Sequence, residues 1–340
     1  MKKGKQSWVF SNLPVIASTA TIGGPFEKES PLSENFDRFF DDFYFGQDTF
    51  EKAHSYIINE TTNLLLSKSK QNWNHIDAIF MGDLMNQIIA SNFAASKIPV
   101  SYLGLFNACA TSMEGLALAS LFIDSNNATQ IVTGTASHFN AVEKQFRYPT
   151  EYGAQKPPTS QCTVTGAGFA LVKQNGGDKK CVVTTAATFG KVVDMGLKDP
   201  FNMGGAMAPA AIDTILTHFK DLQIKDANYY DLIITGDLGK YGREITYASL
   251  KEKGLAIDSD KYTDAGILIY DEKNKEALAG GSGAACSAVV TYGHIINEMK
   301  KGTYKRVLVV ATGALLSQVS AQQQESIPCI AHAVALEYRE

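Results

Sequence analysis

Long apolar runs are missing from this chain: the longest, Val307 to Leu316 (VLVVATGALL), is half of the roughly 20 residues that a membrane-spanning helix needs. A basic excess is missing too. Lys and Arg total 31 against 35 Asp and Glu, a formal charge of −4, so nothing stands ready to neutralise a phosphate backbone and nucleic acid is not an expected partner. The five cysteines, Cys109, Cys162, Cys181, Cys286 and Cys329, are odd in number and scattered, with no CxxC or Cys/His spacing. Neither a disulfide framework nor a zinc site is supported, and a reducing compartment fits best. The only apolar patch near the N-terminus, Leu13 to Ala20, contains Pro14, Ser18 and Thr19 and reads as a strand rather than a secretion signal. GxxxxGK[ST], HExxH and GxSxG do not occur, and TGAGFAL (165–171) has Leu171 where a dinucleotide fingerprint needs its third glycine. DSDKYTDAG (258–266) places Tyr262 and Thr263 where a calcium loop needs an oxygen ligand and a glycine, and reads as a solvated loop.

What is present is a composition able to bury a large core, 45% hydrophobic and 19% charged, arranged as an internal repeat. Residues 76–84 (IDAIFMGDL) and 230–238 (YDLIITGDL) are apolar strand-like runs ending in Gly-Asp-Leu, and each follows a segment with helical spacing of apolar residues. SYLGLFNACATSMEGLALASLFI (101–123) matches LAGGSGAACSAVVTYGHII (278–296), QIVTGTASH (130–138) matches RVLVVATGA (306–314), and CTVTGAGFALV (162–172) matches PCIAHAVALEY (328–338). Each copy reads strand, helix, strand, buried helix, strand, strand. The reading is therefore two halves, 1–175 and 176–340, with mostly parallel sheets and two apolar helices enclosed between them, an α/β/α/β/α sandwich of five layers. The site is expected between the halves. The polar, aromatic stretch 139–161 interrupts the first half as a long loop.

Matching points of the repeat carry the candidate chemistry. Cys109 follows a strand and opens a helix, where amide groups and the helix dipole favour a thiolate; the alternative is a small buried residue that fits there. Cys286 is its counterpart. Asp83 and Asp237 end apolar strands, where ligands gather in open sheets, although a capping role would use the same residue. Of the six histidines, His54 and His218 read as surface residues, His75 as loop, His294 as a satisfied core residue, and only His138 and His332 as site members.

QFRYPTEYGAQKP (145–157), TVTGAGFALV (163–172), DPFNMGGAMAPAA (199–211), AGGSGAACSAVVTYGHI (279–295) and VVATGALLS (309–317) carry a resemblance over nearly the whole chain. The sequence resembles the thiolase superfamily, in outline ketoacyl-ACP synthase III, and within it the stage V sporulation protein AD family. That resemblance implies the thiolase-like five-layer fold and a protein of endospore-forming bacteria. The implied function is non-catalytic binding of dipicolinic acid (pyridine-2,6-dicarboxylate) for uptake into the developing spore, as a soluble subunit of a transport complex at the spore inner membrane. Other stage V sporulation A proteins are its implied partners. Cys109 matches the acylated cysteine of the condensing enzymes, while their catalytic His or Asn positions fall at Gly236-Asp237 and at or beside Cys286-Ser287, with both histidine slots empty. Condensation is therefore expected to be absent, because a carboxylate at Asp237 would repel a developing oxyanion. No cofactor is implied. The implied ligand contacts are Cys109, Asp83, Asp237, Cys286, Ser287, Thr111, Asn86, Arg147 and His332. The ligand carboxylates would seek helix amides at Cys109–Thr111 and Cys286–Ser287, or a cation at Arg147 or Lys156. Asp83 and Asp237 would complete an oxygen shell if the ligand enters as its calcium chelate. The alternative is an acyltransferase working through Cys109. A homodimer is an open expectation, with QIVTGTASH as the pairing strand.

Overall fold

The computed structural model describes residues 1–146, 156–271 and 274–340, so Arg147 lies outside the described residues. Ten strands carry the fold: β1 (Val15–Gly23), β2 (Ala78–Gly82), β3 (Ser101–Gly104), β4 (Gln130–Ser137), β5 (Gly166–Lys173), β6 (Cys181–Phe189), β7 (Leu232–Thr235), β8 (Tyr262–Asp264), β9 (Arg306–Ala314) and β10 (Cys329–Arg339). They hydrogen-bond in the order β8-β7-β9-β10-β6-β1-β5-β4-β2-β3. Read outward from the middle, the first five strands run 1-5-4-2-3 and the last five 6-10-9-7-8, the same order twice. The two sets meet where β1 pairs with β6 through Ile16–Val182 and Val15–Val183.

Helices cover and separate these strands. α1 (Phe50–Ser69) turns Ala53, Ile57, Ile58 and Leu65 onto the outer face of the first set, as its i, i+4 apolar spacing requires. α2 (Thr111–Asp124) is buried along most of its length. It shares a core with the helix that opens at Ala284–Val289, and strands of both sets line that core. α3 (Phe139–Phe146) is short and amphipathic. α4 (Met203–Asp221) and α5 (Gly239–Glu252) pack on the outer face of the second set. The helix α6 (Ala284–Val289) continues through a π-helical turn, Val290–Ile295, into Ile296–Lys301. The result is five layers, helix, sheet, helix, sheet, helix.

Four expectations need correction. The sheet is mixed rather than mostly parallel: β5 runs antiparallel to β1 and β4, and β10 to β6 and β9. Parallel neighbours require a crossover connection over a sheet face, whereas antiparallel neighbours do not. QIVTGTASH cannot serve as a pairing edge, since β4 is hydrogen-bonded on both sides, by β2 and β5. His54 and His218 are fully buried, not on the surface, because both lie on the core-facing stripes of their helices. DSDKYTDAG is not a solvated loop: Tyr262 and Asp264 are buried and belong to β8.

Candidate functional site

The loop between β3 and α2 brings Cys109 to the centre of the molecule. Ala108 adopts a left-handed conformation, φ 51°, uncommon for a residue with a Cβ, and sets the sulfur at the start of α2 with 9% of the residue exposed. Thr111 holds this turn closed: its hydroxyl donates to the Ala108 carbonyl at 2.8 Å and accepts from the Asn107 amide at 2.9 Å. The Ala110 and Thr111 amides donate to the Asn107 and Ala108 carbonyls. Two of the helix-start amides expected to receive a carboxylate, those of Ala110 and Thr111, are thus engaged by the chain itself.

Asp237, which follows β7, is the polar centre of the site. Its Oδ1 accepts from the Thr312 hydroxyl at 2.7 Å, and its Oδ2 accepts from the Ser282 hydroxyl at 3.0 Å and the Gly283 amide at 3.2 Å. The Cys109 thiol lies close enough to act on it as well. Asp237 is buried, and burial raises its carboxyl above the ordinary range, opposed by these four groups. Desolvation, with the Asp237 charge second, pushes the Cys109 thiol well above its ordinary value. Cys286 is likewise pushed up by burial, and its thiol donates to the Gly236 carbonyl at 3.4 Å. Below them Asp264 accepts from the Thr235 hydroxyl and from the Leu238, Gly239 and Gly266 amides at 2.7–2.9 Å, fixing the turn that presents Asp237.

Cys109, Asp237 and Cys286 therefore come together, and the remaining candidates disperse. Asp83 is buried, but its oxygens accept from the Met85 amide and from the Ser91 amide and hydroxyl at 2.7–2.8 Å. It organises its own loop and shares no oxygen shell with Asp237. Among the described residues no group of three His, Cys, Asp or Glu is arranged to hold a metal ion. Ser287 is spent on Ser112 across the two inner helices, 2.5 Å apart. Lys156 is paired with Glu276 at 2.7 Å and lies over the Phe139 ring. His332 is buried, and its Nδ1 accepts from the Gly190 amide at 3.2 Å. Asn86 borders an open cavity of about 420 Å³ together with Leu84, Met85, Phe106, Phe146 and Leu315. Leu84, Met85, Val142 and Ala284 form one buried cluster with Cys109, against which Phe146 and Leu315 pack, so the cavity adjoins the packing around the sulfur, although neither Cys109 nor Asp237 lines it.

Ser282, Gly283 and Thr312 are site residues that the sequence reading passed over. The first two sit in AGGSGAAC, where Cys286 drew the attention, and Thr312 sits in VVATGALLS. Gly313 beside it carries the Cys109 turn: a Cβ there would lie 2.2 Å from the Asn107 carbonyl oxygen. Gly313→Ala is expected to push that turn off the sheet at a cost of about 2–3 kcal/mol, the ordinary range for overpacking, read as a lowered urea midpoint.

The family model described as Stage V sporulation protein AD (SpoVAD) matches residues 4–337. A stage V sporulation protein AD from Bacillus subtilis (strain 168) is 46% identical over 334 residues, covering 98% of this chain and 97% of its own length. Among solved structures, acetamide-bound OleA from Xanthomonas campestris aligns with a TM-score of 0.61 at 12% identity, covering 97% of this chain and 100% of that one. The 3-oxoacyl-(acyl carrier protein) synthase III of Xanthomonas oryzae pv. oryzae aligns with a TM-score of 0.59 at 12% identity, with the same coverage. At that identity the likeness concerns the fold, which is thiolase-like.

Proposed function

The chain belongs to the stage V sporulation protein AD family, and from that membership we propose that it is a non-catalytic receptor for dipicolinic acid. The ligand would enter through the cavity beside the Cys109 cluster and reach Asp237 behind it during uptake into the developing spore. The observation that carries the non-catalytic part is the buried Asp237 carboxyl beside the Cys109 thiol, itself buried. A nucleophilic cysteine needs a depressed pKa, and here burial and a neighbouring negative charge both act the other way. The same carboxylate opposes any oxyanion forming beside the sulfur, where condensation needs donors worth roughly 3–4 kcal/mol each.

A dianion entering beside Asp237 must bring a cation or let Asp237 take up a proton. We favour entry as the calcium chelate, with Asp237 rather than Asp83 facing the calcium, a hard cation that seeks oxygen ligands. Calorimetry with dipicolinate, with and without calcium, tests this: an affinity indifferent to calcium at neutral pH removes the chelate from the reading.

The second reading, acyl transfer through Cys109, is favoured by the left-handed Ala108 and the helix start behind the sulfur. Incubation with acyl-CoA decides between them. Intact-protein mass spectrometry is expected to show no adduct on Cys109; a stoichiometric adduct, lost in Cys109→Ser, establishes the acyltransferase instead.

No helix among the described residues is long and apolar enough to cross a membrane. The reading therefore places the chain peripherally at the spore inner membrane, with the other stage V sporulation A proteins as its anchors. For self-association we turn to β3, whose outer edge has no strand partner among the described residues and which leaves Leu103 and the following Phe106 exposed. Leu103→Lys is expected to shift the chain to monomer in sedimentation velocity.

A further inference from the structure

His138 closes β4 and opens α3, and its ring is fully buried. Its Nε2 lies 2.7 Å from the Phe43 carbonyl oxygen, an acceptor only, so the ring proton belongs on Nε2. Nδ1 is then an acceptor, and it faces the Ala141 amide at 3.4 Å. The His138 carbonyl takes the Val142 amide at 3.0 Å. The neutral imidazole thus does for α3 what Ser or Asp does for other helices, accepting an amide of the first turn.

The far end of α3 closes the cavity. Gln145 accepts from the Asn86 amide at 3.0 Å and donates to the Leu84 carbonyl at 3.3 Å. Val142 is buried with Cys109, and Phe146 lines the cavity wall. One ring therefore seats the helix that covers the sulfur.

A proton on Nδ1 would turn the acceptor into a donor pointing at an amide, and would add positive charge at a helix N-terminus, where the dipole opposes it. Both hydrogen-bond partners of the ring are backbone groups, and the charge of Glu51, which favours the proton, is outweighed by burial. Phe43, Phe45 and Phe50 enclose the ring at centroid distances of 5.3–6.0 Å, and the fourth ring against it is His54 at 6.3 Å. Of the charged groups facing it from α1, Glu51 is paired with Lys144 at 2.7 Å. Asp83 reaches only His54 and is bonded to Met85 and Ser91. On α3 itself Glu143 is buried beside the same turn, and from β5 and its approach the neighbour is the Thr165 hydroxyl, bound to the Phe139 amide. Burial first, and then the His54 charge, hold the His138 pKa down to about 4.

We propose that His138 is a proton-sensitive latch: neutral, it seats α3 against the cavity that adjoins the Cys109 cluster, and protonated, it releases α3 and opens that cavity. The latch does not depend on what the cavity binds, and its test uses no ligand. With an imidazole near 6.5 when released and about 4 when seated, opening of α3 grows roughly 30-fold between pH 7.5 and pH 5. Hydrogen exchange of the full chain, corrected for intrinsic rates, is expected to show that loss of protection in 139–146 and not in α2.

His138→Gln keeps a donor for Phe43 and an acceptor for Ala141 without titrating, and is expected to stay protected at both pH values. His54→Gln leaves the cap bonds in place and is expected to keep the pH dependence. Equal protection of wild-type 139–146 at the two pH values overturns the latch. So does an undiminished pH dependence in a folded His138→Gln, or its loss in His54→Gln alone. If His138→Gln fails to fold, the wild-type comparison and His54→Gln decide.

Discussion

Asp237→Asn is expected to tighten dipicolinate binding in calcium-free buffer on the order of a hundredfold. Two unit charges about 5 Å apart, at an effective dielectric near 20, repel by roughly 3 kcal/mol, and the amide removes one of them while keeping one acceptor oxygen, for the Thr312 or the Ser282 hydroxyl, and turning an NH2 donor to the other hydroxyl. With calcium present the order reverses, because the variant has no carboxylate to offer the metal, and wild type binds at least as tightly. The sign of the pH dependence follows from the same group. The Asp237 carboxyl is raised in the folded protein, so acid neutralises it more readily than in the unfolded chain, and calcium-free affinity of wild type should climb as pH falls while that of Asp237→Asn stays flat. Calorimetry of both proteins at pH 5.5 and 7.5, with and without calcium, reads all of this; parallel pH profiles would remove Asp237 from the binding surface. The substitution also takes the charge away from Cys109, so iodoacetamide labelling of that thiol should accelerate, because a lower thiol pKa raises the thiolate fraction.

Asp264→Ala is expected to cause the largest loss of stability, about 4 kcal/mol. It strands three amides and a hydroxyl, Leu238, Gly239, Gly266 and Thr235, in a buried site where each unmatched group costs roughly 1–3 kcal/mol and the costs overlap. Asp264→Asn keeps one carbonyl oxygen and should recover about half. Burial pushes the Asp264 carboxyl up to about 7. A folded-state value above the unfolded one means that the ionised form is strained at neutral pH and eased by acid, so wild type gains stability as pH falls from 7 toward 4 while Asp264→Asn does not, and the difference between them is expected to widen. Urea denaturation at those pH values checks both statements. A midpoint of Asp264→Ala within a few tenths molar of wild type would mean that water, not the carboxylate, satisfies the turn.

The periodic and repeated features of the sequence translated well into structure. Two Gly-Asp-Leu strand ends, two cysteines opening inner helices and one strand order used twice follow from the alternation and spacing of apolar residues, which decide what can be buried. Direction within a loop did not translate. Asp83 and Asp237 occupy matching places, yet Asp83 finds the Ser91 amide and hydroxyl close by, while Asp237 has Thr312, Ser282 and Cys109 arriving from three other segments. A carboxylate points at its donors, and donors brought by distant chain cannot be read from the residues beside it. The same limit hid Ser282 and Thr312. It also misjudged His54 and His218, whose polar sequence neighbours sit on the opposite side of each helix. The expected homodimer strand failed for a topological reason: β4 looked like a free apolar strand until β2 and β5 enclosed it.

The seam between the two strand sets is narrow, two residue pairs of β1 and β6, whereas the inner helices join a core common to both. Cohesion therefore lives in the middle layer and very little of it in the continuous backbone at the midpoint. A protease cut in the glycine-bearing turn between Lys173 and Cys181 should leave a nicked molecule that still migrates as one and melts in a single step. The two pieces expressed apart, each with an oily inner helix bared to water, should reassemble when mixed.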